Sequence, residues 1–177
     1  MNILLIILAV IAGLILLIVL FGFMSPRITR MERSIEINAS VEKVFEQMNS
    51  LKNFVANWSP FSDYDPNMKK IFNHIETGKG AHYTWEGDPK KVGKGTMEIT
   101  HSVVNKSVTT HLAFHGRGEA DATWTIQPGN GNVKVTWDFM ADNKNNPISR
   151  IFGRMMDRFL GPDYEKGLKK LKEYCEK

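Results

Sequence analysis

PISRIFGRMMDRFLGPDYEKGLKKLKEYCEK, residues 147–177, closes the chain. Ile148, Ile151, Phe152, Met155, Phe159, Leu160, Tyr164, Leu168 and Leu171 recur mostly three or four apart, the spacing of an apolar stripe along one side of an α-helix. Arg150, Arg154 and Arg158 step by four along a different face. Gly161-Pro162 interrupts the run. Proline has no amide donor and fits best in a first helical turn, so a kink or restart is expected there. A helix this long, with so broad an apolar face, needs a large surface to lie on.

The middle of the chain reads as that surface. Strands are expected over residues 69–76, 80–87, 95–104, 107–115, 119–127 and 133–140, with turns at Asp88-Pro89, Asn105-Lys106, Gly116-Arg117-Gly118 and Pro128-Gly129-Asn130-Gly131. Alternation is clean in several. Val108, Thr110, Leu112 and Phe114 oppose Thr109, His111, Ala113 and His115; Ala120, Ala122, Trp124 and Ile126 oppose Asp121, Thr123, Thr125 and Gln127; Val133, Val135, Trp137 and Phe139 oppose Lys134, Thr136 and Asp138. Short connections imply antiparallel neighbours, and one apolar face implies a sheet covered on one side. Upstream, residues 31–38 alternate as a first strand. Ser40 is placed to cap a helix carrying Val41, Val44, Phe45 and Met48, and residues 51–58 read as a second short helix ended by Ser59-Pro60. The fold class is therefore α+β: a curved antiparallel sheet of about seven strands around a long C-terminal helix.

Residues 3–24 are almost wholly Leu, Ile, Val, Phe and Ala, with no charge before Arg27. Some 22 residues at ~1.5 Å rise span ~33 Å, enough for a bilayer core. A cleaved signal peptide would show a basic n-region, a shorter apolar core and a small-x-small cleavage site. Here only Met1-Asn2 precedes the run, and Phe21-Gly22-Phe23-Met24 is a poor cleavage site, so an uncleaved anchor is the expectation. Arg27, Arg30 and Arg33 follow the span, which places the remainder on the cytoplasmic side of the cell membrane in a single-pass arrangement. The expected division is 1–26 as transmembrane anchor and 27–177 as one domain, large enough for one sizeable core.

The net charge of +4 is modest, and much of the basic excess lies in Arg27, Arg30 and Arg33 and in Lys166, Lys169, Lys170 and Lys172. A nucleic-acid binder would show a denser basic patch interleaved with stacking residues, so that class is set aside. The single cysteine, Cys175, excludes an intramolecular disulfide, and no Cys/His cluster has zinc spacing. Gly-x-Ser-x-Gly, His-Glu-x-x-His and phosphate-loop patterns are all missing; Gly93-Lys94-Gly95 is too short for the last. No metal or cofactor is expected.

Several stretches together resemble a known family. Glu32-Arg33-Ser34-Ile35-Glu36-Ile37-Asn38-Ala39-Ser40 with Val44-Phe45 is similar to its opening strand and helix. Trp58-Ser59-Pro60-Phe61, Tyr83-Thr84-Trp85-Glu86-Gly87, Val92-Gly93-Lys94-Gly95-Thr96-Met97 and Gly161-Pro162-Asp163-Tyr164-Glu165-Lys166-Gly167-Leu168 resemble its later landmarks. The family is the SRPBCC superfamily, with the START-like helix-grip fold, in its polyketide cyclase/dehydrase and lipid transport branch. The resemblance covers nearly all of residues 31–175. It implies a cavity between sheet and helix, and a hydrophobic small molecule or lipid as partner. Fold alone assigns no reaction.

For such a pocket the apolar faces offer Trp85, Met97, Ile99, Phe114, Trp124 and Trp137, with Phe139 beside them. Phe152, Met155, Met156 and Phe159 are expected to face them from the long helix. An ordinary filled core would use the same residues. His101 falls in phase with Met97, Ile99 and Val103, and is the one polar group placed to orient a ligand or act as acid/base. His111 and His115 fall on the solvent side. Glu86, Glu98, Asp121 and Asp138 mostly point outward, which disfavours paired carboxylate chemistry. Arg150, Arg154 and Arg158 suit either lipid headgroups or plain solvation. The leading reading is a membrane-anchored, non-catalytic binding protein. A cyclase- or dehydratase-type enzyme using His101 stands second, and an interaction or regulatory module third.

Overall fold

Strand β1 (Ile28–Ile37) pairs along its whole length with β7 (Val133–Asp142), Ile28 opposite Asp142 and Ile37 opposite Val133. The first and last strands of the chain are thus neighbours. In the computed structural model, which describes residues 2–116 and 118–177, seven strands form one sheet in the order β1-β7-β6-β5-β4-β3-β2. The remaining strands are β2 (Lys69–Phe72), β3 (His82–Glu86), β4 (Lys94–Val103), β5 (Ser107–Phe114) and β6 (Gly118–Pro128), every pair antiparallel. Of the expected turn at Gly116-Arg117-Gly118, Arg117 lies outside the described residues.

Because β1 and β2 occupy opposite edges, the chain between them must cross one face of the sheet. It does so as α2 (Val41–Met48), α3 (Leu51–Asn53), a π-helical turn over Phe54–Trp58 and a 3-10 turn over Phe61–Asp63. Ser40 and Ser50 start the first two helices by accepting from Lys43 N at 3.2 Å and Asn53 N at 3.3 Å. The π-helical turn aims Trp58 inward, where its indole donates to Gln47 O at 3.2 Å.

Helix α4 (Pro147–Cys175) closes the same face. Asn146 caps it, accepting from Ile148 N and Ser149 N, and Pro147 fits the first turn, where no amide is needed. The expected restart at Gly161-Pro162 does not occur: the helix runs through both residues. Its packing face is marked by glycines. A Cβ on Gly153 would meet Thr29 Oγ1, one on Gly161 would meet Arg33 Nη2, and one on Gly167 would meet Trp137 Cζ3 at 2.7 Å. Between these, Tyr164, Leu168, Leu171 and Cys175 are buried. Arg33 lies across the helix at Gly161 and pairs with Asp157 at 2.8 Å and Glu165 at 2.7 Å.

Helix α1 (Ile3–Met24) is long and apolar enough to cross a membrane. Its last turns pack on the start of α4, where Gly22 is buried against Pro147.

Candidate ligand-binding site

The inner face of the sheet divides into a filled part and an open part. Toward the Ile37 end, Trp124, Val108, Ile99, Val135 and Leu171 are sealed from solvent. Phe54, Trp58, Trp124 and Trp137 pack ring to ring there, with centroids 4.6 to 5.9 Å apart. The indole nitrogens of Trp124 and Trp137 find no hydrogen-bond partner among the described residues. Toward the Ile28 end the layers separate around a cavity of about 260 Å³. Tyr83, Trp85, Met97, Leu112, Phe114, Ala122, Trp137 and Phe139 wall it from the sheet. Phe54, Val55 and Phe61 wall it from the crossing helices, and Leu160 and Tyr164 from α4.

Local sequence explains the walls. Trp85 lies flat beneath Gly95, where a Cβ would come within 2.5 Å of its ring, and its indole donates to Val92 O at 3.1 Å. Tyr164 stacks on Trp137 with centroids 3.9 Å apart. Tyr83 precedes Trp85 by the two-residue period of a strand and stacks on Phe72 at 5.3 Å. The hydroxyl of Tyr83 makes no hydrogen bond among the described residues, and the residue is 7% exposed. Burial pushes the phenols of Tyr83 and Tyr164 far above their ordinary range. They stay protonated and can donate to a ligand oxygen, which makes them anchors rather than bases.

The mouth is polar. Tyr64 and Lys91 are exposed there, beside the half-buried Ser62 and Asp163. Tyr64 donates to the Asp163 carboxylate, and that bond, with some burial, pushes its phenol up to about 12. The loop after β3 is tied down by Asp65, which accepts from Asp88 N at 2.8 Å and Asn67 N at 3.1 Å. Those backbone donors hold the Asp65 carboxyl below its usual range, the Asp88 amide foremost.

Of the residues singled out from sequence, Trp85, Met97, Phe114 and Trp137 line this cavity. Ile99 and Trp124 are fully buried in the filled part instead. Four residues lie elsewhere than expected. His101 is exposed, because β4 bulges: Ile99 pairs with Thr110 but His101 with Thr109, so the extra residue at Thr100 reverses the alternation. Among the described residues its ring hydrogen-bonds only Thr100 Oγ1, at 3.3 Å, and the next inward residue is Ser102, bonded to Asn49. Phe152, Met155 and Phe159, expected to face the sheet, are on the outer side of α4 at 58%, 42% and 60% exposure. The glycine-marked side of the helix faces the sheet in their place. Among the carboxylates, Glu86 and Glu98 are exposed and Asp121 pairs with His111 at 2.8 Å. No group of three or more His, Cys, Asp or Glu that could hold a metal occurs among the described residues.

Sequence reasoning passed over Tyr83, Tyr164 and Tyr64. Tyr83 was signalled by its phase with Trp85, and Tyr164 by its four-residue step from Leu160. Tyr64, in a short irregular segment, carried no periodic signal.

Comparison with known proteins bears on this geometry. A family model described as polyketide cyclase/dehydrase and lipid transport matches residues 29–176. No curated protein matches the chain. Among solved structures, DynU16, a protein of the dynemicin biosynthetic locus, is similar at TM-score 0.55 and 14% identity over 85% of this chain and 48% of that one. The di-domain ARO/CYC StfQ of the steffimycin biosynthetic pathway is similar at TM-score 0.61 and 8% identity over 84% and 51%. A solution structure from Staphylococcus epidermidis gives TM-score 0.58 and 13% identity over 83% and 89%. The chain thus spans about half the length of DynU16 and StfQ. At these identities the likeness is one of fold.

Proposed function

Because the chain belongs to the polyketide cyclase/dehydrase and lipid transport family, we propose that it is a membrane-anchored binding protein for a hydrophobic small molecule or lipid, without chemistry of its own. The observation that carries this is the cavity of about 260 Å³, walled by aromatic and aliphatic side chains and entered past Tyr64, Lys91 and Asp163. Its size corresponds to roughly nine water volumes at ~30 Å³ each. That suits a fused ring pair or a segment of acyl chain, and is too small for a whole diacyl lipid. Tyr83 supplies a phenol donor for one polar atom of such a ligand. Trp85, Met97, Phe114 and Trp137 supply the apolar contact. A cyclase or dehydratase working through His101 gains no support, since that ring lies on the outside of β4. In this reading residues 1–26 form the anchor and residues 27–177 the cytoplasmic binding domain.

Ala122 lines the cavity and is 1% exposed. Ala122→Leu would grow into open space. The full chain in detergent should then keep its stability within about 1 kcal/mol in urea unfolding, since no overpacking arises. Binding of a fluorescent polyene fatty acid or polycyclic probe should fall at least tenfold. Unchanged probe binding in Ala122→Leu, or none by the parent, would remove the ligand reading. A loss of about 1–3 kcal/mol would show that the space is not open.

A further inference from the structure

The outer side of α4's first half presents Ile148, Phe152, Met155 and Phe159 at 57%, 58%, 42% and 60% exposure. They are spaced four, three and four apart, so they form one narrow stripe rather than scattered surface residues. Nothing among the described residues covers them. Alongside run Arg150, Arg154 and Arg158. Arg154 and Arg158 make no hydrogen bond or ion pair among the described residues. Arg150 donates only to Lys144 O at 2.7 and 2.9 Å and, weakly, to Asn145 Oδ1 at 3.5 Å.

Position says what this surface meets. Two of these arginines lie over aromatic rings at the end of α1: Arg150 over Phe23 at 5.4 Å and Arg154 over Phe21 at 5.3 Å. Gly22 is packed against Pro147. A span of 22 residues covers about 33 Å and so delivers Met24 to the edge of the hydrocarbon. Helix α4 therefore begins at headgroup depth. Its exposed stripe ends at Phe159, about 16 Å along the helix from Ile148 at ~1.5 Å per residue. An apolar stripe flanked by unpaired cations, at that depth, matches an anionic lipid surface in both hydrophobicity and charge.

We propose that the first half of α4 is an interfacial membrane-docking helix, with Phe152, Met155 and Phe159 in the acyl boundary and Arg154 and Arg158 among the phosphates. Docking would hold the domain at a fixed tilt. The cavity lies at the Ile28 end of the sheet, nearest α1, and Asp163 at its mouth is one turn beyond Phe159 on the same side of α4. The mouth then opens beside the bilayer, a consequence that rests on the ligand reading; the docking itself does not.

Site-directed spin labelling of the full chain tests it, and Cys175 is buried. Phe152→Cys and Phe159→Cys are labelled in vesicles of phosphatidylcholine with phosphatidylglycerol. Leu14→Cys, within α1, serves as the lipid reference. Lys106→Cys, at the opposite end of the sheet, serves as the water reference. Nitroxides at 152 and 159 should be reached by oxygen in preference to a water-soluble nickel chelate, as at 14. Adding Arg154→Gln and Arg158→Gln should shift them toward the behaviour at 106. Lipid-like behaviour at 14 with water-like behaviour at 152 and 159 overturns docking and leaves the anchor standing. Water-like behaviour at 14 as well overturns both. Labels at 152 and 159 that are immobilised and reached by neither agent would mean a protein covers the stripe, and docking on lipid would fall.

Discussion

At Gly167 the missing side chain is what lets α4 reach the core. A Cβ there would stand 2.7 Å from Trp137 Cζ3 and 3.0 Å from Pro60 Cδ, both held by their surroundings. Glycine to alanine within a helix ordinarily gains about 1 kcal/mol. Gly167→Ala should instead destabilise the protein by about 1–3 kcal/mol in urea unfolding, because overpacking outweighs propensity. Tyr64 offers a second single-residue test. Its phenol is raised from an ordinary value near 10 to about 12, chiefly by donation to Asp163. A group whose folded value lies above its unfolded one contributes stability in full below the unfolded value, and loses it as pH rises through the folded one. The contribution should therefore fade between pH about 10 and about 12. Asp163→Asn should let Tyr64 ionise nearer pH 10, read from phenolate absorbance. An unchanged titration would mean the bond does not form in solution.

Elements explain what was legible in the sequence and what was not. The sheet's strands could be read because Val108, Leu112, Trp124 and Trp137 keep a strict two-residue period. The bulge at Thr100 could not: one extra residue leaves no compositional trace yet turns His101 from the inner face to the outer. His101→Ala should accordingly shift stability by no more than about 0.5 kcal/mol and leave probe binding intact. A large loss of binding would return His101 to the site. In α4 the apolar residues were too many for one face. Ile148, Phe152, Met155 and Phe159 on one side, and Met156, Leu160, Tyr164 and Leu168 on the other, satisfy the same helical spacing. Gly153, Gly161 and Gly167 distinguish the two sides, since only a face in tight contact has use for missing side chains. The cavity was legible only as an apolar surface: whether facing residues meet or stand apart depends on layer separation, which no strand encodes alone.

For the whole molecule, the arginines after α1 serve twice. Arg27 is bonded to Asp142 at 2.6 and 2.8 Å, and Arg33 to Asp157 and Glu165. In the proposed single-pass arrangement, charge acts on orientation while the chain inserts, before β7 or α4 exists to neutralise these residues. A reporter fused after Lys177 should therefore be active in its cytoplasmic form and silent in its exported form. Replacing Arg27, Arg30 and Arg33 together by Gln should invert or mix that outcome. Exported activity from the unaltered chain would reverse the assignment of sides.

The adjacency of β1 and β7 also sets a timetable for synthesis. Strand β1 leaves the ribosome just behind α1, yet its partner begins at Val133, roughly a hundred residues later. At ~5–20 residues per second, β1 waits some 5–20 s with an open hydrogen-bonding edge. Meanwhile the antiparallel pairs from β2 to β6 can form in sequence. In the proposed membrane-anchored arrangement the waiting strand is tethered beside the bilayer, which limits its encounters with other nascent chains to those in the same membrane. In that arrangement the proposed anchor would act as a quarantine during folding, whatever it does for the finished protein.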